Sequence, residues 1–182
     1  MTEMEKGMQS TLLTEEQIRQ RVKELGKEVS ACYQGKDLLL VTVLKGAVVF
    51  LTDFMRALDC HCELEFMVAS SFCGGVKSTG VLKIVKDIDV PIEGRDVLIV
   101  EDILDSGLTL SHIKKLLEDR GPASVRIVTL LDKPVRRKAD INADFTGFVI
   151  PDEFVVGYGL DYDEKYRNLP YIGILKPEVY TK

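Results

Sequence analysis

Hydrophobic and polar residues follow one another in blocks that predict alternating helices and strands. Thr14 and Gln17 have the spacing of a helix capping box, and the apolar residues after them recur at helical intervals on one face. Those residues are Ile18, Val22, Leu25 and Val29. The run LLLVTV at residues 38–43 is typical of a strand buried on both faces, as in a parallel sheet. The segment 47–58 is apolar almost all round, which favours a buried helix.

A second series of blocks continues this pattern through the rest of the chain. Further strands are predicted at residues 62–70, 81–86, 96–100 and 125–131. The small, glycine-rich residues between the first two predict a mobile loop. A helix whose inner face carries Ile113, Leu116 and Leu117 ends at Gly121-Pro122. The alternation predicts an α/β domain with a mainly parallel sheet, followed after residue 145 by short strands and turns with no clear helix.

The size and composition of the chain indicate one globular domain. With 182 residues, of which 46% are hydrophobic, it has enough apolar residues for a sizeable core. The net charge of −5 argues against a globally basic nucleic-acid binder. The apolar stretch from Leu38 to Leu58 is interrupted by charged residues, and the first ten residues lack the pattern of a signal peptide. We therefore expect no membrane span, and nucleic acid is disfavoured as a partner, although a local basic patch stays open.

Four cysteines lie in the first half of the chain without a recognisable metal-binding spacing. Cys32, Cys60, Cys62 and Cys73 match neither a zinc ribbon nor a redox pair. Cys60 and Cys62 flank His61, but no matching second pair follows. Reduced structural thiols are the ordinary state of such residues in the cytosol, so we expect a cytoplasmic protein.

The segment VLIVEDILDSGLTL, residues 97–110, combines a buried strand with a polar turn that leads into a helix. In an open parallel sheet, ligands bind beyond the carboxyl ends of the strands, where this turn is expected to lie. The residues Ser106, Gly107, Leu108 and Thr109 suit a phosphate group. The glycine permits close backbone approach, the hydroxyls donate hydrogen bonds, and a helix start offers free N–H groups.

Three carboxylates, Glu101, Asp102 and Asp105, precede this phosphate-binding pattern. Like charges repel, so they need a partner: sugar hydroxyls, a divalent cation or a cationic transition state would each serve. A solvated acidic loop is the simpler alternative, although the preceding strand fixes the acids at the expected ligand edge. Two other nucleotide motifs are absent, since there is no Walker-type loop and Gly157-x-Gly159 lacks the third glycine of a dinucleotide site.

The 97–110 segment resembles the signature of the phosphoribosyltransferase family, in which two acids follow a hydrophobic run and precede Asp-Ser/Thr-Gly-x-Thr. The resemblance implies the type I fold, a mainly parallel central sheet flanked by helices with a small C-terminal hood. It implies a single domain over residues 1–182, with a core at about 10–145. The hood takes in about residues 146–182 together with the N-terminal segment.

The same resemblance implies a role for each polar residue of the signature. In the family, the acids equivalent to Glu101 and Asp102 attend the ribose hydroxyls. The loop equivalent to residues 105–109 holds the 5′-phosphate. In the branch that uses 6-oxopurines, Asp105 is the catalytic group that exchanges a proton with purine N7.

Two further segments match the family. Leu44-Lys45-Gly46 is similar to its pyrophosphate loop, whose lysine often follows a cis peptide bond. Ser71 and Phe72, with the glycine-rich residues that follow, resemble its flexible lid, which closes on substrate. The family usually has Ser-Tyr here, so Phe72 is a departure that keeps the ring and the backbone contacts but loses the hydroxyl.

The fourth match concerns the base. Lys133 aligns with the lysine that binds the purine 6-oxo group, and residues 150–175 resemble the hood of the family. By this likeness Phe154 stacks on the purine and Val155 offers backbone groups to its edge. Taken singly, Lys133 also fits one more solvated lysine of the run KPVRRK, and the two hood residues also fit an ordinary core.

The resemblance extends to the metal and the leaving group. It implies that Mg²⁺ is bound near Glu101, Asp102 and Asp161, and that Arg167 meets pyrophosphate. Taken alone, Arg167 also fits a surface ion pair of little energetic weight. The joint order and spacing of these residues favours a single site.

The resemblance implies a purine-salvage reaction. The phosphoribosyl group would pass from phosphoribosyl pyrophosphate to hypoxanthine or guanine, giving IMP or GMP and pyrophosphate, in a homodimer or homotetramer. Adenine is disfavoured because its amino group needs an acceptor, and Lys133 is only a donor. Two alternatives remain open: xanthine as the base, and a non-enzymatic regulator of the same fold that binds RNA or DNA through KPVRRK.

Overall fold

The computed structural model describes residues 3–71 and 82–181, and within them the strands form two sheets. The strands of the larger sheet are β2 (Leu38–Leu44), β3 (Cys62–Ser71), β4 (Leu82–Lys86), β5 (Asp96–Leu104), β6 (Ser124–Asp132) and β7 (Phe145–Val149). Those of the smaller sheet are β1 (Met8–Leu13), β8 (Val155–Val156) and β9 (Ile172–Leu175). The helices are α1 (Glu3–Lys6), α2 (Glu15–Tyr33), α3 (Val48–Ala57), α4 (Leu108–Glu118) and α5 (Pro177–Tyr180).

The larger sheet has the strand order β4-β3-β2-β5-β6-β7. All neighbouring pairs are parallel except β3 and β4, which run antiparallel. The predicted α/β fold with a mainly parallel sheet is therefore confirmed. Because β2, β5 and β6 are adjacent and parallel, their carboxyl ends meet at one edge of the sheet.

The two faces of the larger sheet are covered by different helices. Leu38 and Leu40 of β2 belong to one core with α2 and α3, whereas Leu39 and Val41 belong to another with α4. Because both faces are covered, β2 carries an almost uninterrupted apolar run, as the sequence predicted. The inner residues of the smaller sheet, such as Ile172, pack into the first core.

The helices follow the sequence pattern closely, with one correction. Thr14 and Gln17 form the predicted capping box of α2. The prediction of a buried helix at 47–58 is only partly confirmed, because the helix forms but is buried on one face. Phe50 and Phe54 are fully buried, but Met55 is 36% exposed and Asp53 faces solvent. The helix α3 thus has one buried and one exposed face.

The smaller sheet joins distant parts of the chain. The strand β1 pairs antiparallel with β9, and β9 with β8. The boundary expected near residue 146 falls within β7, which belongs to the larger sheet; the division into core and hood stays a prediction. A single helical turn, α5, follows β9 where no clear helix was expected, with Pro177 at its first position.

Two further expectations concern the membrane and the cysteines. None of the helices within residues 3–71 and 82–181 is long and apolar enough to cross a membrane. Cys32, Cys60 and Cys62 are free thiols. Cys73 lies outside the described residues.

Candidate active site

The carboxyl ends of three neighbouring strands bring most of the sequence-predicted residues to one edge of the sheet. Lys45 and Gly46 follow β2, the three acids lie at the end of β5, and Lys133 follows β6. A pocket of about 260 Å³ opens here, lined by residues 43–47, 101–107, 109 and 110. A larger groove of about 650 Å³, between α2, α3 and the 167–170 segment, contains none of the three acids. We therefore place the candidate site in the smaller pocket.

Glu101 and Asp102 form a crowded pair of carboxylates in this pocket. Burial, reinforced by the neighbouring Asp102, raises the pKa of Glu101 well above its ordinary value. Burial also raises the pKa of Asp102 to about 6, although the Ile103 N–H and the charge of Arg167 act in the opposite direction. The Oε1 atom of Glu101 is buried and has no hydrogen-bond partner within the described part of the chain. Such a pair fits a ligand that supplies positive charge or hydroxyl donors.

The residues 105–109, here called the Ser106 loop, lead from β5 into α4. Gly107 caps the helix with a φ of 77°, a conformation that glycine adopts at little cost. Gly107 has no side chain with which to cap α4, and the Oγ of Ser106 accepts only a long hydrogen bond of 3.4 Å from the Leu108 N–H. The backbone N–H groups of this weakly capped first turn, with the hydroxyls of Ser106 and Thr109 beside them, suit an anion such as a phosphate.

Arg137 holds the Ser106 loop from behind, a role that the sequence reasoning missed. Its Nε donates to the carbonyl of Asp105 at 3.0 Å, and its Nη2 donates to the carbonyl of Leu104 at 3.3 Å. The guanidinium also pairs with Asp132, and the side chain is only 13% exposed. Its Nη1 donates to the carbonyl of Ile141, so three of its partners are backbone carbonyls that no residue type in the sequence could indicate.

Lys133 points into the protein and not into solvent. The side chain is 5% exposed, and its Nζ donates to the carbonyl of Glu153 at 2.7 Å. Burial lowers the pKa of Lys133, while the charge of Asp105 acts against that shift. The Oδ1 atom of Asp105 is itself buried with no hydrogen-bond partner within the described residues. Asp105 lines the pocket, and its charge acts on the buried amine of Lys133 behind it.

The two hood residues assigned to the base lie in different environments. Val155 is buried in β8, paired with Ile174 of β9. Phe154 is 37% exposed and stacks on the ring of Tyr180, with a centroid distance of 4.6 Å. Tyr180 therefore covers one face of the Phe154 ring, and the ring of Tyr162 also meets Phe154, with a centroid distance of 5.8 Å and an interplanar angle of 86°. No pattern in the sequence predicted these aromatic contacts.

The segment 157–171, here called the hood loop, reaches back to the start of the site. Arg167 pairs with Asp161 at 2.9 Å, and its Nη1 donates to the carbonyl of Gly159 at 2.8 Å. Gly159 packs against Gly46, since a Cβ on Gly159 would collide with the carbonyl oxygen of Gly46; a Cβ on Gly46 would collide with the carboxylate of Asp102. The hood loop and the loop after β2 are therefore in direct contact. The peptide bond between Leu44 and Lys45 is cis, as the resemblance implied.

Some predicted residues are not brought together by the described structure. Asp161 is engaged with Arg167 and with the backbone N–H of Glu164. Across residues 3–71 and 82–181, no group of three or more His, Cys, Asp or Glu side chains is arranged to hold a metal ion. Phe72 and the side chain of Ser71 lie outside the described residues, so their assignment to a lid stays a prediction.

Comparison with known proteins identifies the family. The sequence matches the phosphoribosyl transferase domain over residues 8–163. A Lactococcus lactis protein named hypoxanthine-guanine phosphoribosyltransferase is 52% identical over 98% of this chain and 97% of its own length. A Listeria innocua protein named bifunctional protein TilS/HprT is 52% identical over 98% of this chain, which spans 28% of that longer protein.

A solved structure agrees with these sequence matches. The crystal structure of a hypoxanthine phosphoribosyltransferase from Staphylococcus aureus superimposes with a TM-score of 0.95 at 54% identity, covering 100% of this chain and 98% of that one. The matched region contains the 97–110 segment, the loop after β2 and Lys133. The chain therefore belongs to the phosphoribosyltransferase family, in its hypoxanthine-guanine branch, and has the type I fold that the signature implied.

Proposed function

We propose that this protein transfers the 5-phosphoribosyl group of phosphoribosyl pyrophosphate to hypoxanthine or guanine in the cytoplasm, giving IMP or GMP and pyrophosphate. The observation that carries the proposal is the buried amine of Lys133, fixed by the Glu153 carbonyl next to Phe154 and near Asp105. A donor at this place matches the 6-oxo group of a purine and opposes the amino group of adenine. The names of the relatives support the same base class.

The residues present fit a divalent cation that is shared with the substrate. The partnerless oxygen of Glu101 and the crowding against Asp102 indicate that positive charge is needed there. Glu101, Asp102 and Asp161 would hold Mg²⁺, with substrate oxygens completing its coordination. When bound, the ion would neutralise pyrophosphate and make it a better leaving group.

The remaining steps follow from the chain's own residues. The Ser106 loop binds the 5′-phosphate, and Glu101 and Asp102 accept hydrogen bonds from the ribose hydroxyls. Lys133 holds the oxopurine so that a ring nitrogen faces the anomeric carbon. The bond from that carbon to pyrophosphate breaks while the purine nitrogen bonds to the same carbon. Positive charge grows on the sugar ring during this exchange, and the acidic pair stabilises it. Asp105 takes the proton from purine N7, and Lys45 and Arg167 stabilise the departing pyrophosphate.

The rival reading as a nucleic-acid-binding regulator finds little support in the basic run 133–138. Lys133 and Arg137 point inward, and Arg136 pairs with Asp152. The run therefore presents no continuous cationic strip to a phosphate backbone. Xanthine as the base stays an alternative, because it carries the same 6-oxo group.

Steady-state kinetics with phosphoribosyl pyrophosphate and hypoxanthine, guanine, xanthine or adenine in parallel test the proposal. We expect turnover with hypoxanthine or guanine and almost none with adenine, abolished by EDTA and restored by Mg²⁺. Thermal unfolding should be unaffected by EDTA, because the ion is not part of a structural cage. Absence of turnover with every base would favour a non-enzymatic regulator. A preference for xanthine would show that xanthine, and not hypoxanthine or guanine, is the base that the enzyme uses. Sedimentation would test the homodimer or homotetramer that is part of the proposal.

A further inference from the structure

The carboxylate of Glu164 in the hood loop lies between the two cations that we assign to pyrophosphate. Its Oε2 is 3.1 Å from Nζ of Lys45, and its Oε1 is 3.4 Å from Nη2 of Arg167. Lys45 comes from the loop after β2 and Arg167 from the hood loop, so Glu164 bridges the two sides of the site. No role has been assigned to Glu164 so far.

We propose that Glu164 is an internal competitor of the diphosphate group. Its carboxylate occupies Lys45 and Arg167 in the free enzyme, is displaced when phosphoribosyl pyrophosphate binds, and returns as pyrophosphate leaves. The inference rests on the proposed function, because that function makes Lys45 and Arg167 diphosphate ligands. By this competition Glu164 sets both the affinity for phosphoribosyl pyrophosphate and the ease with which pyrophosphate is released.

The exposure of the groups supports an exchange of this kind. The side chains of Lys45 and Glu164 are 68% and 64% exposed, so their pair is solvated and easily replaced. A diphosphate carries more charge than one carboxylate and reaches both cations at once, which favours the replacement. Among residues 3–71 and 82–181, the side chain of Glu164 has no bond to a fully buried group that would have to break for it to leave.

Asp161 has a different part, although it also contacts Arg167. Its pair with Arg167 is less exposed, at 30% and 27%, and its Oδ2 accepts the backbone N–H of Glu164 at 2.9 Å. Asp161 therefore keeps Arg167 and the backbone of Glu164 in place while the Glu164 side chain moves. Because Asp161 keeps Arg167 in place without Glu164, loss of the Glu164 carboxylate should strengthen diphosphate binding.

Asp163 provides a matched control for the charge change. It is adjacent to Glu164, its φ of 53° is close to the 59° of Glu164, and its carboxylate is 76% exposed. Its ion-pair partner is Lys165, at 3.7 Å. Asp163→Asn and Glu164→Gln thus remove the same charge from the same turn, but only the second frees Lys45 and Arg167.

The experiment measures KM for phosphoribosyl pyrophosphate and the inhibition constant of inorganic pyrophosphate. Both are measured with Mg²⁺ present and at a total salt concentration of about 0.15 M, where interactions between distant charges are screened. We expect Glu164→Gln to lower both constants about twofold to fivefold, the range of an exposed pair. Asp163→Asn should leave both nearly unchanged. An unchanged or raised KM in Glu164→Gln, or an equal decrease in Asp163→Asn, overturns the inference.

A second pair of variants separates this inference from the proposed function. In a Lys45→Met background, the effect of Glu164→Gln should shrink, because one of the two competed cations is gone. If Lys45→Met itself leaves KM for phosphoribosyl pyrophosphate unchanged, the assignment of Lys45 to pyrophosphate is wrong. If Lys45→Met raises KM but Glu164→Gln does not lower it, only the competition by Glu164 is wrong.

Discussion

The hydroxyl of Tyr158 donates a hydrogen bond of 2.7 Å to the carboxylate of Asp53, which fastens the hood loop to α3. Burial, together with this bond to Asp53, raises the pKa of Tyr158, so the phenol stays neutral and remains a donor. The adjacent Gly159 lies against Gly46, on the loop that leads into α3. Two contacts, one polar and one of close packing, therefore fix where the hood loop meets the core.

Removal of the Tyr158 hydroxyl should destabilise the protein. We expect Tyr158→Phe to lower the free energy of unfolding by about 1 kcal/mol, since the Asp53 bond is lost. Tyr33→Phe is the control, because the Tyr33 hydroxyl is buried with no hydrogen-bond partner within the described residues. Its removal should be neutral or stabilising. Denaturant unfolding of both variants checks the prediction, and a larger loss in Tyr33→Phe would contradict it.

A side chain at residue 159 should push the hood loop away from the core. Gly159 has a φ of 101°, and a Cβ there would collide with the carbonyl oxygen of Gly46. Gly35→Ala is a control with a φ of 73° and no atom within 4 Å of the added carbon. We expect about 1–2 kcal/mol of destabilisation in the control, from backbone conformation alone. Gly159→Ala should lose more stability than the control and should also raise KM for phosphoribosyl pyrophosphate. Thermal unfolding and steady-state kinetics measure both variants, and equal effects of the two substitutions would refute the close packing.

Loss of the Arg137 guanidinium should loosen the Ser106 loop. Arg137→Met leaves Asp132 and the carbonyls of Asp105 and Ile141 without the guanidinium, and breaking a buried pair typically costs about 3–5 kcal/mol. Arg136→Met, whose side chain is 56% exposed, should cost about 0–1 kcal/mol. Unfolding midpoints measure the difference. In folded Arg137→Met protein, KM for phosphoribosyl pyrophosphate should rise, and an unchanged value would show that the loop does not depend on Arg137.

Lys133 should decide which base is accepted. We expect Lys133→Gln to raise KM for the oxopurine and to weaken discrimination against adenine, because a buried mismatched pair costs about 1–3 kcal/mol. Lys138→Gln makes the same charge change at an exposed position of the same run and should have no such effect. The measurement is kcat/KM for hypoxanthine and adenine. A wild-type KM for hypoxanthine in Lys133→Gln would remove Lys133 from the base site.

Asp105 and Glu101 should affect different steps of the reaction. Asp105→Asn keeps the shape but removes the proton acceptor, and general base catalysis contributes about 10²–10⁴-fold. We expect a loss at the low end of that range or below, in kcat more than in KM, because water can also accept the N7 proton. Glu101→Gln should instead weaken sugar binding more than turnover. Single-turnover kinetics compare the two, and an unchanged chemical step in Asp105→Asn would leave Asp105 as a binding residue only.

The parts of this molecule that were predictable are those with a local physical signal. The strand at 38–43 was recognisable because burial on both faces demands an unbroken apolar run, and α2 because Thr14 and Gln17 cap it. The acids and the Ser106 loop were placed at the site because strand ends in a parallel sheet share an edge.

The parts that escaped prediction depend on contacts between distant residues. Arg137 donates hydrogen bonds to backbone carbonyls. Because every residue has a backbone carbonyl, no residue type in the sequence indicated these partners. Glu164 meets Lys45 only because Gly46 and Gly159 allow the two loops to touch. The strand β1 escaped the pattern analysis for the same reason, since it is short and its partner lies near the other end of the described chain. Only the family resemblance joined the N-terminal segment to the hood.

The pairing of β1 with β9 has a consequence for the order in which the molecule is completed. The strands β2, β5 and β6, with the Ser106 loop, can assemble from a continuous stretch of chain. The hood strand that carries Val155 is held by β9, and β9 is held by β1, nearly the whole chain away. Contacts between such distant residues form late, because a long loop must close first. A nascent chain would therefore form the Ser106 loop well before the strand that carries Val155 is in place, and damage to β1 would disturb that strand although β1 lines no part of the pocket.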